Sequence, residues 1–359
     1  MDVRKVSQKR LLQEVYTGDW SDAEVTDLLF QIEWIVEQDV IKDIRKRQVR
    51  VPGLKTNGYL SVLGGELTYA CRECCLKARW TQLRTTEECQ LDCDFCYHHG
   101  KYRKKIPEEL YKIHDEFFTE DDIKLLFEVK GERLNGVAWL HYEPLMELGK
   151  ILPLMSFITK KTDCYQWLYT NGILANEETL KSLADAGLDE IRFNLAATDC
   201  SDKVLRNMAN ARKYFTHLCI ESPMFTKFYN SFMRKKSQIL ETGVDHIHFA
   251  ELQLFPWSLD IFSSEGPIYR YHRGYVSPIS SRQLVYDVFD KAAKERWPVV
   301  LHDCSNEVKF YRGVHSGKRG AFSQVNYRVS RPRFYTDRLI KNLPIPFYEN
   351  AIKKYRIGK

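Results

Sequence analysis

Cys89-Gln-Leu-Asp-Cys93-Asp-Phe-Cys96 sets three thiols at C-x3-C-x2-C spacing on one short stretch of chain. Three thiolates so placed can wrap three irons of a [4Fe-4S] cube and leave the fourth iron without a protein ligand. An open iron can chelate an amino and a carboxylate group, so the spacing points to chemistry that a cofactor performs while the protein positions and shields it. A structural zinc site would ask for four ligands in two pairs, and buried thiols with no ligand role need no particular spacing.

A second group, Cys71-Arg-Glu-Cys74-Cys75, lies just upstream, and Cys304 stands in His302-Asp303-Cys304-Ser305 at the end of a late predicted strand. Three chemistries are open to Cys71, Cys74, Cys75 and Cys304. They could complete an auxiliary iron-sulfur cluster or a zinc site, since C-x2-C spacing suits both. They could be reduced thiols with no ligand. They could also bind a thiophilic substrate such as trivalent arsenic, since soft thiolates select soft acceptors.

The elements that position these residues alternate. From residue 79 onward, RWTQLRTT, GVAWLHY, YQWLYT, DEIRFNLAA, HLCIES and HIHFAEL read as six strands, each but the last followed by an amphipathic stretch. Right-handed crossovers of this kind lay strands parallel, which predicts an α/β fold with a partial (β/α)6 TIM-like barrel. Active residues are then expected at the C-terminal ends of the strands, and the cluster loop directly follows the first. Residues 1–60 are expected to form a helical N-terminal extension, with Ser21 as N-cap. The barrel is expected over 61–265 and a C-terminal extension over 266–359, where SRQLVYDVFDKAAKERW reads as a helix and PVVLHD as a further strand. Residues 308–336 have no Asp or Glu but carry Lys309, Arg312, Lys318, Arg319, Arg328, Arg331 and Arg333. Such a segment could cover the barrel mouth and hold a carboxylate or phosphate, or be a solvated loop.

The cysteine spacing, the aromatic Phe95 before the third cysteine and the loop's place after the first strand resemble the radical S-adenosylmethionine superfamily. The resemblance implies a [4Fe-4S] cluster on Cys89, Cys93 and Cys96, with S-adenosylmethionine bound at the open iron and cleaved reductively, ordinarily to the 5′-deoxyadenosyl radical. His141-Tyr142-Glu143-Pro144 ends the second strand and is similar to the family's Gly-Gly-Glu-Pro motif with both glycines absent. In that likeness Glu143 accepts from the ammonium of S-adenosylmethionine. Thr170-Asn171-Gly172 closes the third strand where the family often has this turn near the cofactor, and Asn194 lies where a polar side chain commonly meets the ribose. Ordinary turn and cap roles fit these residues equally. Gly64-Gly65-Glu66 precedes the cluster loop and is not the counterpart of the motif. On the fifth and sixth strands Glu221, His246, His248 and Glu251 alternate so as to include inward-facing positions. Glu221 and His248 are thus substrate-side catalytic candidates beside Glu143. The resemblance covers about residues 79–256, and Leu168 to Leu254 resembles proteins named after the pyruvate formate-lyase activating enzyme.

Cys74-Cys75-Leu76-Lys77 is also similar to part of the Cys-Cys-Leu-Lys-Cys segment of radical enzymes of arsenic metabolism, arsinothricin synthase among them. Ala78 replaces the final cysteine, and the segment lies N-terminal to the barrel. That likeness implies transfer of a 3-amino-3-carboxypropyl group from S-adenosylmethionine to arsenite. The broader resemblance implies an electron donor such as flavodoxin or ferredoxin and a small or peptide substrate.

Composition narrows the rest. At 359 residues and 44% hydrophobic, the chain can bury a large core. Ten cysteines without an export signal, six of them between Cys71 and Cys96, fit metal ligation better than a disulfide scaffold. No apolar run approaches a membrane span, so a cytoplasmic protein without membrane contact is expected. A net charge of +6 is mild and favours anionic small molecules or acidic partners. The rival outside enzymology is a non-catalytic metal-binding protein that meets nucleic acid through residues 309–333.

Overall fold

The computed structural model describes residues 22–319, apart from 78, 100–105, 114–115, 131–133, 256 and 273–274. Strands run in chain order as β1 (Lys55–Asn57), β2 (Leu60–Leu63), β3 (Trp80–Leu83), β4 (Leu110–Ile113), β5 (Glu116–Thr119), β6 (Gly136–Trp139) and β7 (Tyr165–Thr170). They continue as β8 (Glu190–Phe193), β9 (His217–Met224), β10 (His246–Glu251), β11 (Ile268–Tyr271), β12 (Tyr275–Pro278) and β13 (Val300–Cys304). Nine of them form one sheet in the order β1-β2-β13-β10-β9-β8-β7-β6-β3. From β3 to β13 every neighbouring pair is parallel. The six expected strands are β3 and β6 to β10, and PVVLHD supplies β13 as a seventh parallel strand.

Burial explains why these segments pair. All four residues of β3, β6 and β8 are buried, as expected for parallel strands covered on both faces. Helices Leu148–Lys161, Glu177–Ala186 and Asp202–Ala211 fill crossovers between consecutive strands. The second of these is N-capped by Asn176, whose side chain accepts from Thr179 N, and ends at Gly187 with φ 97°.

Three findings differ from the sequence expectation. The first helix among the described residues, Asp22–Arg50, buries Val36, Val40 and Ile44 at four-residue steps, but the chain then turns at Gly53 (φ 74°) into the β1–β2 hairpin instead of staying helical to residue 60. Ser21 lies outside the described residues. A short antiparallel hairpin, β4–β5, follows the cluster loop, and Arg84 bridges to Lys112 beside it. The expected boundaries at 60 and 265 do not mark edges of the sheet, because β13 pairs directly with β10 and with β2. No helix among the described residues is long and apolar enough to cross a membrane.

Candidate active site

Cys89, Cys93 and Cys96 follow β3 on the open loop, half-exposed and unbridged. Backbone amides point at two of the sulfurs: Leu91 N–H donates to Cys89 Sγ at 3.4 Å and His98 N–H to Cys96 Sγ at 3.4 Å. All three thiols line a cavity of about 130 Å³, together with Phe95, Thr170, Asn171 and Asn194. Burial first, and then the neighbouring thiols of Cys96 and Cys89, push the Cys93 thiol up to about 12. Burial and the neighbouring thiols thus disfavour the Cys93 thiolate unless a cation offsets them. A cationic iron core removes that penalty, and amide N–H groups facing sulfur are what an iron-sulfur cluster uses to tune its charge. The donor set therefore fits a [4Fe-4S] cluster.

Behind this cavity Glu143 braces the turn after β7. Its side chain is fully buried and accepts from Thr170 Oγ1 (2.8 Å), Asn171 N (2.8 Å) and Leu145 N (3.2 Å). Glu143 lines neither cavity of the site. The structure thus gives the expected ammonium acceptor a different position, with both oxygens holding the Thr170-Asn171-Gly172 turn. The turn needs its glycine: Gly172 has φ 81°, and a Cβ there would sit 2.7 Å from Phe193 and from Val204. Asn171 in turn accepts from Gln90 Nε2 at 3.2 Å, tying β7 to the cluster loop. Asn194 lies one residue past β8 and caps a short helical turn by accepting from Ala197 N.

His141 and Tyr142 stand where the resembled motif has two glycines, and both take positive φ, 76° and 51°. The glycine-like backbone path is retained at a cost of about 1–2 kcal/mol per residue. Its consequence is two side chains that glycine could not provide. Tyr142 stacks on His98 with ring centroids 4.1 Å apart, His98 Nε2 lies 3.4 Å from His141 Nδ1, and His141 Nε2 lies 2.9 Å from Gln82 Oε1. His98 and Tyr142 border both the small cavity and a larger one of about 280 Å³.

The larger cavity adjoins the first and reaches Cys74, Cys304, Lys309 and Arg312. Arg312 Nη1 is 3.3 Å from Cys74 Sγ, and a hydrogen bond from the Cys75 thiol lowers Cys74 to about 7 despite burial. Cys75 keeps its own proton among the sulfurs of Cys304, Cys71 and Cys74, which raise it well above an ordinary thiol. Glu221 borders both cavities and is paired with Arg192 at 2.6 Å; Arg192 also binds buried Glu190 at 2.6 Å and the Tyr169 hydroxyl at 3.1 Å. Glu251 reaches the same cavity, although its carboxylate accepts from Asn306 N and the Tyr269 hydroxyl.

His248 does not join them. It is fully buried beside Cys71 and His302, apart from the cavity lining, so its expected substrate-side role is corrected to a place in a separate cluster. Cys71 and Cys75 are likewise buried behind the cavity wall, whereas Cys74 and Cys304 face it. Gly64 follows β2 and packs against Val299 at the start of β13, at the opposite end of the strands from the cluster loop. Of the basic C-terminal segment, Lys309 and Arg312 reach the cavity from helix Asn306–Arg319. The side chains of Lys318 and Arg319, and residues Arg328, Arg331 and Arg333, lie outside the described residues.

Sequence reasoning passed over Arg192, His98 and Gln82. Arg192 had a signal, since Glu190, Arg192 and Asn194 alternate on one face of a strand otherwise made of core residues. His98 and Gln82 had none beyond proximity to the cysteine loop.

The family profile of the Radical SAM superfamily matches residues 83–221. An uncharacterised protein of Methanocaldococcus jannaschii is 25% identical over 196 residues, 51% of this chain and 61% of that one. A protein of the same organism, provisionally named a glycyl-radical enzyme activating enzyme, is 26% identical over 184 residues, 49% of this chain and 48% of that one. The matches thus span less than two thirds of either relative. Among solved structures, Streptococcus suis SuiB bound to S-adenosylmethionine superposes with a TM-score of 0.47 at 13% identity, covering 63% of this chain and 50% of SuiB.

Proposed function

We propose that this chain, whose residues 83–221 match the radical SAM superfamily profile, is an enzyme that cleaves S-adenosylmethionine in the small cavity to start radical chemistry on a substrate in the larger one. The carrying observation is the convergence of Cys89, Cys93 and Cys96 with Asn171 and Asn194 on a single cavity at the C-terminal ends of the parallel strands. When bound there, the [4Fe-4S] cluster supplies the electron that breaks a carbon-sulfur bond of S-adenosylmethionine, delivered from a donor such as flavodoxin or ferredoxin.

The chain's own residues orient and shelter. Glu143 holds the Thr170-Asn171 turn, so that Asn171 and Asn194 offer polar groups to the cofactor at fixed positions. Phe95, packed against Phe225 at 5.7 Å, and the Tyr142–His98 stack exclude water from the passage between the cavities. Lys309 and Arg312 favour an anionic substrate group in the larger cavity. Glu221, held by Arg192, is the carboxylate placed to meet a substrate proton or ammonium. Anaerobic incubation with S-adenosylmethionine and dithionite tests the reading: nucleoside product is expected, and intact S-adenosylmethionine over many hours would overturn it.

A second reading concerns which bond breaks. Cys74 and Cys304 face the substrate cavity, and Arg312 beside Cys74 favours its thiolate, a pair suited to a thiophilic acceptor such as arsenite. Transfer of the 3-amino-3-carboxypropyl group to arsenite would release methylthioadenosine, whereas the ordinary cleavage releases 5′-deoxyadenosine. Identification of the nucleoside separates the two. Arsenite that binds a Cys74→Ser, Cys304→Ser double variant as tightly as the wild type would exclude the arsenic reading. The basic segment gives no independent support to nucleic-acid binding, because its described residues Lys309 and Arg312 face this cavity.

A further inference from the structure

Beneath the substrate cavity, three buried side chains from distant parts of the chain converge on one point. Cys71 comes from the turn before β3, His248 from the middle of β10 and His302 from β13, where the two histidines are register partners. Cys71 Sγ lies 3.5 Å from His248 Nδ1, and His248 Nδ1 lies 3.2 Å from His302 Nδ1. All three ligand atoms fall within 4.8 Å of one another. A tetrahedral zinc ion with ordinary bond lengths has ligand edges of about 3.6 Å between sulfur and nitrogen and about 3.3 Å between two nitrogens. The Cys71–His248 and His248–His302 separations match those edges to about 0.1 Å, and Cys71 and His302 lie within 4.8 Å of each other.

The surroundings are those of a ligated thiolate. Arg192 Nη2 stands 3.3 Å from Cys71 Sγ, so a guanidinium N–H faces the sulfur. Metal-bound thiolates take such N–H donors as outer partners. Glu190 and Glu221 neutralise the arginine and limit the positive charge around the site. The two imidazoles meet at Nδ1, a contact that as a hydrogen bond needs one ring to donate and the other to accept. The Nε2 atom of each ring is buried without a partner, so neither orientation is set from its far side. A second tight grouping, Glu190, Cys219 and His248, competes for the same histidine. Glu190 is already engaged by Arg192 at 2.6 Å and by the Tyr165 hydroxyl at 3.2 Å, which leaves Cys71 and His302 as the available partners.

We infer that Cys71, His248 and His302 bind one zinc(II) ion, with the Cys75 thiol hydrogen-bonded to that of Cys71 beside them. Two neutral imidazoles and one thiolate are the borderline-soft donor set that zinc prefers, and hard cations such as magnesium do not compete for it. The ion pins the segment Cys71–Cys75 to the middle of β10 and β13, and so fixes Cys74 at the wall of the substrate cavity. It is a positioning centre distinct from the iron-sulfur site, sharing no ligand with Cys89, Cys93 or Cys96.

The test uses the full chain purified anaerobically without chelator, with zinc and iron measured together by mass spectrometry and zinc-edge X-ray absorption recorded on the same sample. About one zinc per chain is expected, with two imidazole nitrogens and one or two sulfurs in its shell. Cys71→Ser and His302→Ala should each lose at least nine-tenths of the zinc and keep the iron, whereas Cys96→Ala should do the reverse. Less than one-tenth zinc per chain after zinc loading would overturn the inference. So would a zinc shell without imidazole, or a second complement of iron in place of zinc. If the histidine variant fails to fold, the wild-type absorption spectrum alone decides. Because iron and nucleoside product are read separately, failure of this site leaves the S-adenosylmethionine reading standing.

Discussion

Replacing Glu143 with Gln should change how stability depends on pH, in a direction fixed by burial. Burial raises this carboxyl from 4.5 to about 7, opposed by hydrogen bonds from Asn171 N, Thr170 Oγ1 and Leu145 N. A folded-state pKa above the unfolded one means that the folded chain holds the proton more tightly. Its stabilising contribution is therefore complete below the unfolded pKa and lost as pH rises through about 7. The shift corresponds to about 3 kcal/mol across that window. The Gln side chain has no proton to lose, so Glu143→Gln should gain about 3 kcal/mol relative to wild type between about pH 4.5 and about pH 8. Urea unfolding of both proteins across this range, followed by tryptophan fluorescence, reads the difference while shared titrations cancel. A flat difference, or a wild type that gains stability as pH rises, would refute the reasoning. It would mean that the carboxylate has a cationic partner, as the ammonium-acceptor role in the resembled motif would require.

Three further outcomes follow from the same geometry. Gly172→Ala forces a Cβ to 2.7 Å from Phe193 and Val204 at positive φ, and should cost about 2–4 kcal/mol in unfolding experiments while weakening S-adenosylmethionine binding. Arg192→Met leaves buried Glu190 with the Tyr165 hydroxyl but without its cationic partner and should destabilise the fold by about 3–5 kcal/mol; a neutral result by calorimetry would show that water or another cation replaces the guanidinium. Lys150 donates to the carbonyls of Thr85 (3.0 Å), Pro107 (3.1 Å) and Leu110 (2.6 Å), clamping the strand that leads into the cluster loop. Lys150→Met should therefore speed hydrogen exchange of the amides around Cys89 to Cys96, and unchanged exchange there would remove the clamp from the account.

The parallel sheet was legible because strand and helix periods alternate cleanly from Trp80 to Glu251, and the cluster loop because thiol spacing constrains ligand geometry directly. The β1–β2 hairpin was not, since Leu60-Ser61-Val62-Leu63 carries no alternation that separates a buried strand from a helix end. For the site, Asn171 and Asn194 line the small cavity with the three cysteines, while the Glu143 carboxylate is turned into the Thr170-Asn171 turn. Sequence cannot tell a carboxylate that meets a ligand from one satisfied by three local donors. His248 shows a further limit: alternation on β10 made it inward-facing, but only the pairing of β10 with β13 reveals that His302 and Cys71 await it there. The positive φ at His141 and Tyr142 had only a weak signal, since histidine is enriched in the left-handed region but a bulky aromatic such as Tyr142 rarely adopts it.

The most direct measurement of the central claim compares wild type with a Cys89→Ala, Cys93→Ala, Cys96→Ala variant, both prepared anaerobically and given dithionite and S-adenosylmethionine. Wild type should hold about four irons at this site and yield 5′-deoxyadenosine or methylthioadenosine, and the variant should lose those irons and all nucleoside product. Undiminished cleavage by the variant, with its fold intact by circular dichroism, would contradict the assignment of these three cysteines as the seat of the chemistry.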